Sequence, residues 1–172
     1  IYANSRPSIP SRDSCPSCPD SATPSIVDKS VNWSIEQART MWPEKFGTTA
    51  ASSDAAFNRP ESVRALFAGD ALTRALMADA ISRRGGRAFA EPYLVEAFAG
   101  DNYPVVRYFA ANGLAAFGPE TPKPDYLATA EQRALQISRW ADTIDGSRMT
   151  DARAIALELR RSRRDVDLEV GE

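Results

Sequence analysis

The sequence predicts an all-α fold preceded by an extended N-terminal tail. Helix-capping and helix-ending residues recur along most of the chain, and the segment 1–30 is rich in serine and proline. No segment alternates apolar and polar residues as a half-buried strand would. The length of 172 residues fits one domain plus a tail. We expect a tail at 1–31, a helical domain at 32–164 and an acidic C-terminal tail at 165–172.

The composition excludes several functional classes. Lys and Arg number 21 and Asp and Glu number 23, so the net charge of -2 gives no overall attraction to nucleic acid or an anionic membrane. Histidine is absent, which removes the commonest general base and the usual nitrogen ligand of zinc or haem. No stretch of about 18 apolar residues exists. We therefore expect no catalytic residue, no cofactor, no metal, no nucleic-acid partner and no transmembrane segment.

The N-terminal tail has too few apolar residues to form a core of its own. Its five prolines, which stiffen it in an extended form, are Pro7, Pro10, Pro16, Pro19 and Pro24. The chain begins at Ile1, which predicts a processed or truncated terminus, with a removed export signal as the simplest interpretation. An extracytoplasmic (periplasmic) location, peripheral to a membrane, is expected.

Cys15 and Cys18 form the only motif in the chain that suggests site chemistry. Zinc needs four ligands, and two thiolates without histidine leave such a site half built. A thiol–disulfide oxidoreductase places its CxxC at the start of a helix, whereas Pro16 and Pro19 lie in a serine-rich tail. Two interpretations remain open: two free thiols, or a Cys15–Cys18 disulfide, which an oxidising compartment would favour.

The first predicted helix spans 35–42. Ser34 and Gln37 form a capping box at its start, and Pro43 ends it. The polar segment 47–58 is expected to be a loop. Three aromatic side chains are expected to pack as a lid over one end of the core: Trp33, Trp42 and Phe46.

Caps, prolines and glycines place the later helices. The signals are Pro60, the N-cap Asp70, the Gly85–Gly86 stop, Pro92 and Pro104 as helix openers, the Gly118–Pro119 stop, a capping box from Thr129 to Gln132 for a helix to about Ile144, and Thr150 as the N-cap of a last helix to about Arg164. They predict several helices joined by short turns.

An internal repeat determines the expected architecture. The tetrapeptide Phe67–Asp70 returns later in the chain as Phe98–Asp101, each time between two predicted helices. With a two-residue insertion, the helix after the second copy aligns with the helix after the first. The aligned pairs are Arg74 with Arg107, Leu76 with Phe109, Ala78 with Ala111, Asp79 with Asn112, Ile81 with Leu114 and Gly85 with Gly118.

The second copy resembles HEAT repeats, in particular the short bacterial HEAT-like units. Their second helix typically reads Asp, a few residues, Val-Arg, an Ala-rich face, Leu and Gly, which here are Asp101, Val106, Arg107, Ala110, Ala111, Leu114 and Gly118. The resemblance implies a short α-solenoid of antiparallel helix pairs, in which the Asp caps the second helix and the Arg reaches a neighbouring repeat. The signature residues are Asp70, Arg74, Asp101, Arg107 and Leu114. Residues 129–164 would form one more helix pair that caps the stack.

The last predicted helix contains many arginines directly before the acidic tail. These arginines are Arg153, Arg160, Arg161, Arg163 and Arg164, and the acidic residues are Asp165, Asp167, Glu169 and Glu172. Opposite charges in adjacent segments favour a solvated, self-compensating end over a nucleic-acid patch.

The Cys15–Cys18 spacing also resembles the CxxCH haem-attachment motif of c-type cytochromes, with Pro19 where the axial histidine would stand. This resemblance implies a relic of a multihaem cytochrome ancestor. We expect a non-catalytic, exported accessory subunit that binds a larger protein assembly, with a cytochrome-bearing membrane electron-transfer complex, photosynthetic or respiratory, as the favoured partner. The alternatives are the C-terminal part of a multihaem cytochrome and a nucleic-acid-binding HEAT-like domain.

Overall fold

The computed structural model describes residues 26–118, 123–141, 144–163 and 165. These residues contain eight α-helices: α1 Val31–Met41, α2 Pro43–Phe46, α3 Glu61–Ala68, α4 Ala71–Arg84, α5 Arg87–Gly100, α6 Pro104–Ala116, α7 Ala130–Ala141 and α8 Gly146–Arg161. They form no β-strand, only an isolated bridge between Ser30 and Pro60. The all-α prediction is confirmed. Cys15, Cys18 and most of both predicted tails lie outside the described residues.

Helix α1 begins earlier than predicted, at Val31 rather than at residue 35. The Ser30 hydroxyl oxygen accepts the Trp33 N–H at 3.1 Å and makes Ser30 the N-cap. Ser30 has extended backbone and bridges to Pro60, whereas Ser34 lies inside the helix and donates its hydroxyl to the Ser30 carbonyl. Ser30, and not Ser34, is therefore the N-cap, and Ser30 is also the residue that contacts the distant Pro60.

Helices α1 and α2 form an arm, and the predicted aromatic lid is wrong. Trp42 is 54% and Phe46 is 40% exposed, and every residue from 39 to 51 is exposed. The only buried residue of α1 is polar: the Asn32 amide donates to the Ser52 carbonyl at 2.9 Å. The arm is therefore anchored at its base by hydrogen bonds, and its aromatic tip is left in solvent.

Pro92 lies within α5, so the prediction that it opens a helix is wrong. Helix α5 begins at Arg87, directly after the Gly85–Gly86 stop. Proline has no N–H for the carbonyl of the preceding turn, which here belongs to Ala88. The Arg148 guanidinium of α8 donates to that carbonyl at 3.2 Å. A side chain from another helix thus supplies the hydrogen bond that the proline cannot make.

The predicted start of α7 is confirmed, whereas the predicted start of α8 is wrong. The capping box is confirmed, because Thr129 and Gln132 each donate a backbone N–H to the other's side chain. The N-cap predicted for the last helix is wrong. Asp145 accepts an N–H of the first turn at 3.0 Å, so α8 begins at Gly146, and Thr150 lies one turn further on, donating its hydroxyl to the Gly146 carbonyl.

The core lies among α3, α4, α5, α6 and α8. Helices α4 and α6 pack along each other most extensively, while α3 packs on α4 and α5 packs on α6. Helix α7 packs on α5, and α8 lies against α5 and α3 through the buried, small residues Ala152 and Ala156. This differs from the expected further helix pair at 129–164. The principal core residues are Val63, Leu66, Phe67, Ala78, Ile81, Ala90, Leu94, Val95, Phe98, Ala110, Ala111, Leu114 and Ala156.

Gly113 lies where α6 approaches its neighbours most closely. A Cβ atom at this position would lie 2.5 Å from the Ser82 Cβ of α4 and 2.9 Å from a Leu94 methyl of α5. We expect Gly113→Ala to lower the free energy of unfolding by about 1–3 kcal/mol, as overpacking does, although alanine is the better helix former. Thermal unfolding measures this loss.

Gly146→Ala is the matched control, because a Cβ atom there would meet no atom within 4 Å. It restricts the unfolded chain in the same way without a clash, so its unfolding midpoint should stay or rise slightly. If the two variants unfold at the same temperature, the close approach of α6 to α4 is contradicted.

Candidate functional site

The two signature aspartates occupy different positions relative to the helices that follow them. Asp70 is the N-cap of α4, and its carboxylate accepts the Thr73 N–H at 2.8 Å. This bond, followed by one from the Thr73 hydroxyl, holds the pKa of Asp70 below its usual range. Asp101 does not cap α6, since Pro104 is the first helical residue and Tyr103 is the N-cap. The two-residue insertion places Asp101 too early, and its carboxylate accepts the Tyr103 N–H instead.

The Arg74–Asp101 ion pair is almost completely buried, with side chains 1% and 2% exposed. Nε and Nη2 of Arg74 donate to the two carboxylate oxygens at 2.8 and 3.1 Å. Nη1 donates to the Gly69 carbonyl at 2.7 Å, and the Tyr103 ring centroid lies 5.2 Å from the guanidinium carbon. Because both charges are removed from water, their stability depends on these partners.

A closed ring of four alternating charges, the charge ring, joins the end of α8 to the repeats. Its members are Arg74, Asp101, Arg163 and Asp165. Arg163 contacts Asp101 at 3.1 Å and Asp165 at 2.5 Å, and Asp165 contacts Arg74 at 3.2 Å. The Arg163 side chain is only 7% exposed. The expected solvation is therefore wrong for this residue, whereas compensation by the acidic segment is seen in its pair with Asp165.

Three arginines make the same contact with the turn before their own helix. Nη1 of Arg74, Arg107 and Arg133 donates to the carbonyls of Gly69, Asn102 and Ala128 at 2.7, 2.8 and 2.7 Å, the same sequence separation in each case. Arg107 also donates to the Tyr126 carbonyl at 2.8 Å. Burial, and then the charge of Arg133, lowers the pKa of Arg107. Sequence reasoning missed Arg133, because no Phe-Ala-Gly-Asp tetrapeptide precedes α7.

Several guanidinium groups gather at the C-terminal end of α5. Arg133 donates to the Ala99 carbonyl at 3.3 Å, Arg107 donates to the Asp101 carbonyl at 2.9 Å, and Arg160 donates to the Glu96 carbonyl. Carbonyls at this end of a helix form the negative end of its dipole, and that of Ala99, in the last turn, also lacks an intrahelical donor. The cations thus satisfy the end of α5 and tie α6, α7 and α8 to it. The chemistry of this cluster is structural.

Glu96 is a buried carboxylate beside this cluster. Burial raises its pKa, and the positive charges of Arg160 and Arg153 act in the opposite direction. The Arg160 guanidinium lies 3.9 Å from the Glu96 carboxylate and stacks over the Phe67 ring at 5.3 Å. This arginine, expected to be solvated, is instead packed against the core.

Leu114, the last signature residue, is 2% exposed in the core. Ile81, its aligned counterpart on α4, is fully buried. The cysteines Cys15 and Cys18 lie outside the described residues, so both interpretations of that pair stay predictions.

Three apolar side chains are exposed on the packed helices α4 and α6. Leu72 and Leu76 on α4 are 68% and 53% exposed, and Val105 on α6 is 45% exposed. We call these three side chains the outer face. The repeat alignment already pairs Val105 with Leu72. The sequence alone does not show which face of each helix is exposed.

Comparisons of the chain with protein-family models, curated proteins and solved structures find no significant match. Within the described residues, no three Asp, Glu, Cys or His side chains group closely enough to hold a metal ion. None of the described helices combines the length and apolar character needed to cross a membrane. The outer face and the charge ring are the exposed apolar feature and the buried charged feature on which the proposal below is based.

Proposed function

We propose that this protein is a non-catalytic helical scaffold, a short HEAT-like stack of antiparallel helix pairs that binds a larger protein assembly. Consecutive helices pack as pairs, α3 with α4 and α5 with α6, and the second helices of both pairs pack along each other. The bidentate Arg74–Asp101 pair links the first repeat to the turn of the second. Such contacts support a stack in which each unit stabilises its neighbour.

The outer face is the observation on which the proposal rests. Leu72 and Leu76 lie one helical turn apart, so their side chains share one side of α4. The repeat alignment puts Val105 at the position of Leu72, so both units expose an apolar side chain at the same place. Exposed large apolar side chains that recur at equivalent positions of two packed units favour an interaction surface.

The chemistry of the outer face favours a protein partner over nucleic acid. Nucleic-acid binding needs basic groups that are free to neutralise phosphates. Arg160 and Arg163 of the arginine-rich segment are instead engaged in internal ion pairs. The expected export and the resemblance to a haem-attachment motif support an extracytoplasmic, membrane-associated assembly as the partner, in particular a cytochrome-bearing electron-transfer complex.

Photocrosslinking in the producing cells tests this proposal. A photoreactive phenylalanine analogue replaces Leu76 on the outer face or, as a matched control, Leu157 on α8, which is 50% exposed. We expect one discrete protein crosslinked from position 76 and none from position 157. Equal crosslinking from both positions, or crosslinking to nucleic acid, would contradict the proposal.

Substitution of the outer face provides a second readout. The double variant Leu72→Gln and Leu76→Gln keeps helix propensity, because glutamine and leucine are similar helix formers. This variant should no longer co-purify with the protein that is crosslinked from position 76, and its unfolding midpoint should change little. Leu157→Gln, the control, should retain the partner.

A further inference from the structure

Asp165 contacts the other members of the charge ring through its carboxylate, as a bound ligand does. Its side chain is 22% exposed, whereas the side chains of its two cationic partners, Arg74 and Arg163, are 1% and 7% exposed. One carboxylate oxygen lies 3.2 Å from Nη1 of Arg74. The other accepts Nη2 of Arg163 at 2.5 Å and the Asn102 amide at 3.4 Å. An exposed residue thus places its carboxylate on two buried guanidinium groups.

The two guanidinium groups are held in place by contacts that do not involve Asp165. Nε and Nη2 of Arg74 donate to the Asp101 carboxylate, and its Nη1 donates to the Gly69 carbonyl. Nη1 of Arg163 donates to the Asp101 carboxylate at 3.1 Å, and its Nη2 is the group that contacts Asp165. Asp101 therefore orients both cations toward the place that the Asp165 carboxylate occupies. A site that is oriented in advance loses little conformational freedom when it binds a ligand.

The local balance of charge favours an anion at this place. Without Asp165, three cations would face two carboxylates: Arg74, Arg160 and Arg163 against Asp101 and Glu96. Burial lowers the pKa of Arg160, and the positive charges of Arg163 and Arg74 add to this effect, while the two carboxylates oppose it. An uncompensated charge in such surroundings is costly. The Asp165 carboxylate supplies the negative charge that these cations otherwise lack.

Asp165 can leave this place without the unfolding of a helix. Helix α8 ends at Arg161, so Asp165 belongs to the chain after the helix. Arg160 contacts Glu96 and stacks over Phe67, which fastens the end of α8 before Asp165 is reached. Local opening of this kind, outside the helices, requires far less free energy than global unfolding.

We propose that Arg74, Arg163 and Asn102 form a carboxylate-binding site, and that Asp165 is its built-in, displaceable ligand. The external ligand is a carboxylate group, because two guanidinium groups that contact separate oxygens match its two oxygens and its negative charge. A free small carboxylate and an acidic side chain of another protein share this chemistry. Asp165 is tethered beside the site at a high effective concentration. An external carboxylate therefore binds the unmodified chain weakly and binds strongly only when Asp165 is displaced or removed.

Rescue of an Asp165 variant by an added carboxylate tests this inference. Asp165→Ala removes the carboxylate and leaves its space, so the thermal midpoint of the full chain should fall by roughly 2–4 °C. Sodium acetate should restore most of this loss, since a ligand that binds only the folded state stabilises it by mass action. Sodium chloride at the same ionic strength controls for general screening of charges and should not restore the midpoint.

Asp165→Asn is the matched control, because its amide fills the space without the negative charge. This variant should also unfold below the unmodified chain, but acetate should not restore its midpoint. In the Asp165→Ala background, Arg163→Ala should abolish the acetate effect, whereas Arg161→Ala, which alters an exposed arginine outside the charge ring, should retain it. Asp165→Ser leaves nearly the same space as Asp165→Ala and provides a second background in which the rescue is measured.

Three results would overturn the carboxylate-binding site. The first is an acetate effect of equal size in the unmodified chain, in Asp165→Ala and in Asp165→Asn. The second is an acetate effect that survives Arg163→Ala, and the third is an Asp165→Ala midpoint equal to that of the unmodified chain.

An aspartate with both backbone ends blocked distinguishes the two sources of the ligand. If it restores the Asp165→Ala midpoint as acetate does, the site accepts an acidic side chain of a protein. Restoration by acetate alone assigns the site to small carboxylates. The outer face takes no part in these contacts, so every outcome leaves the proposed scaffold function to be decided by its own crosslinking experiment.

Discussion

Replacement of Arg74 by alanine is expected to lower the free energy of unfolding by up to about 3–5 kcal/mol, the usual cost of breaking a buried ion pair. Asp101, 2% exposed, would keep only Arg163 and the Tyr103 N–H as polar partners among the contacts described above. Asp165 would also lose its contact with Arg74. The thermal midpoint should fall by roughly 2–4 °C per kcal/mol for a chain of this size, which calorimetry measures.

Arg83→Ala is the control for this substitution. Arg83 lies on the same helix, its side chain is 69% exposed, and it pairs with Asp79 one turn away at 2.9 Å. Exposed pairs at this spacing contribute about 0.3–0.5 kcal/mol. Equal midpoint shifts for the two variants would show that Arg74 is as well solvated as Arg83, contrary to the charge ring.

Leu114→Ala is expected to lower the free energy of unfolding by about 2–5 kcal/mol, because it deletes buried methyl groups and leaves a cavity. Leu114 is 2% exposed and belongs to the same core cluster as Ile81 and Leu94. Its neighbour Gly113 already brings α6 close to α4 and α5. The surrounding helices can therefore collapse little into the space, which places the loss in the upper part of that range. Chemical and thermal unfolding both measure it.

Leu72→Ala removes the same atoms from a leucine that is 68% exposed on α4. Its effect on stability should stay within about 0.5 kcal/mol, as for other surface positions. If Leu114→Ala destabilises the protein no more than Leu72→Ala does, α6 does not pack as described and the stacked arrangement fails with it.

The charge ring and α8 lie against helices other than the exposed part of α4. Arg163 and Asp165 hold the chain after α8 against α4 and the α5–α6 turn, and α8 covers α3 and α5. One side of the helix stack is thereby closed by the chain itself. Leu72 and Leu76 of α4 and Val105 of α6 stay exposed.

Several local features could be predicted from the sequence because their interactions span only a few residues. Asp70 caps α4 through the nearby Thr73, and the Thr129–Gln132 box closes on itself. The Gly85–Gly86 pair separates α4 from α5. Such contacts depend on neighbours in the chain, so capping and stop rules locate them, and together they establish an all-α protein.

Other local predictions failed where a distant group intervened. Ser30 rather than Ser34 caps α1, and Ser30 bridges to Pro60. Pro92 is tolerated inside α5 because Arg148, on a helix much later in the chain, donates to the carbonyl that the proline leaves without an N–H. Both outcomes depend on residues that no local pattern includes.

By itself, the amino-acid sequence determined the helical class, the internal repeat and the starts of α4, α6 and α7. Only the tertiary structure decided which charges are buried and which apolar groups are exposed. Arg163 precedes an acidic segment and was expected to be solvated, yet it is paired with Asp101 in the interior; Trp42 was expected to pack over the core, yet it lies at an exposed tip. The physical reason is that a charge is stable in the interior only with compensating partners. Asp165 is near Arg163 in the sequence, but the buried partner Asp101 is brought near by packing.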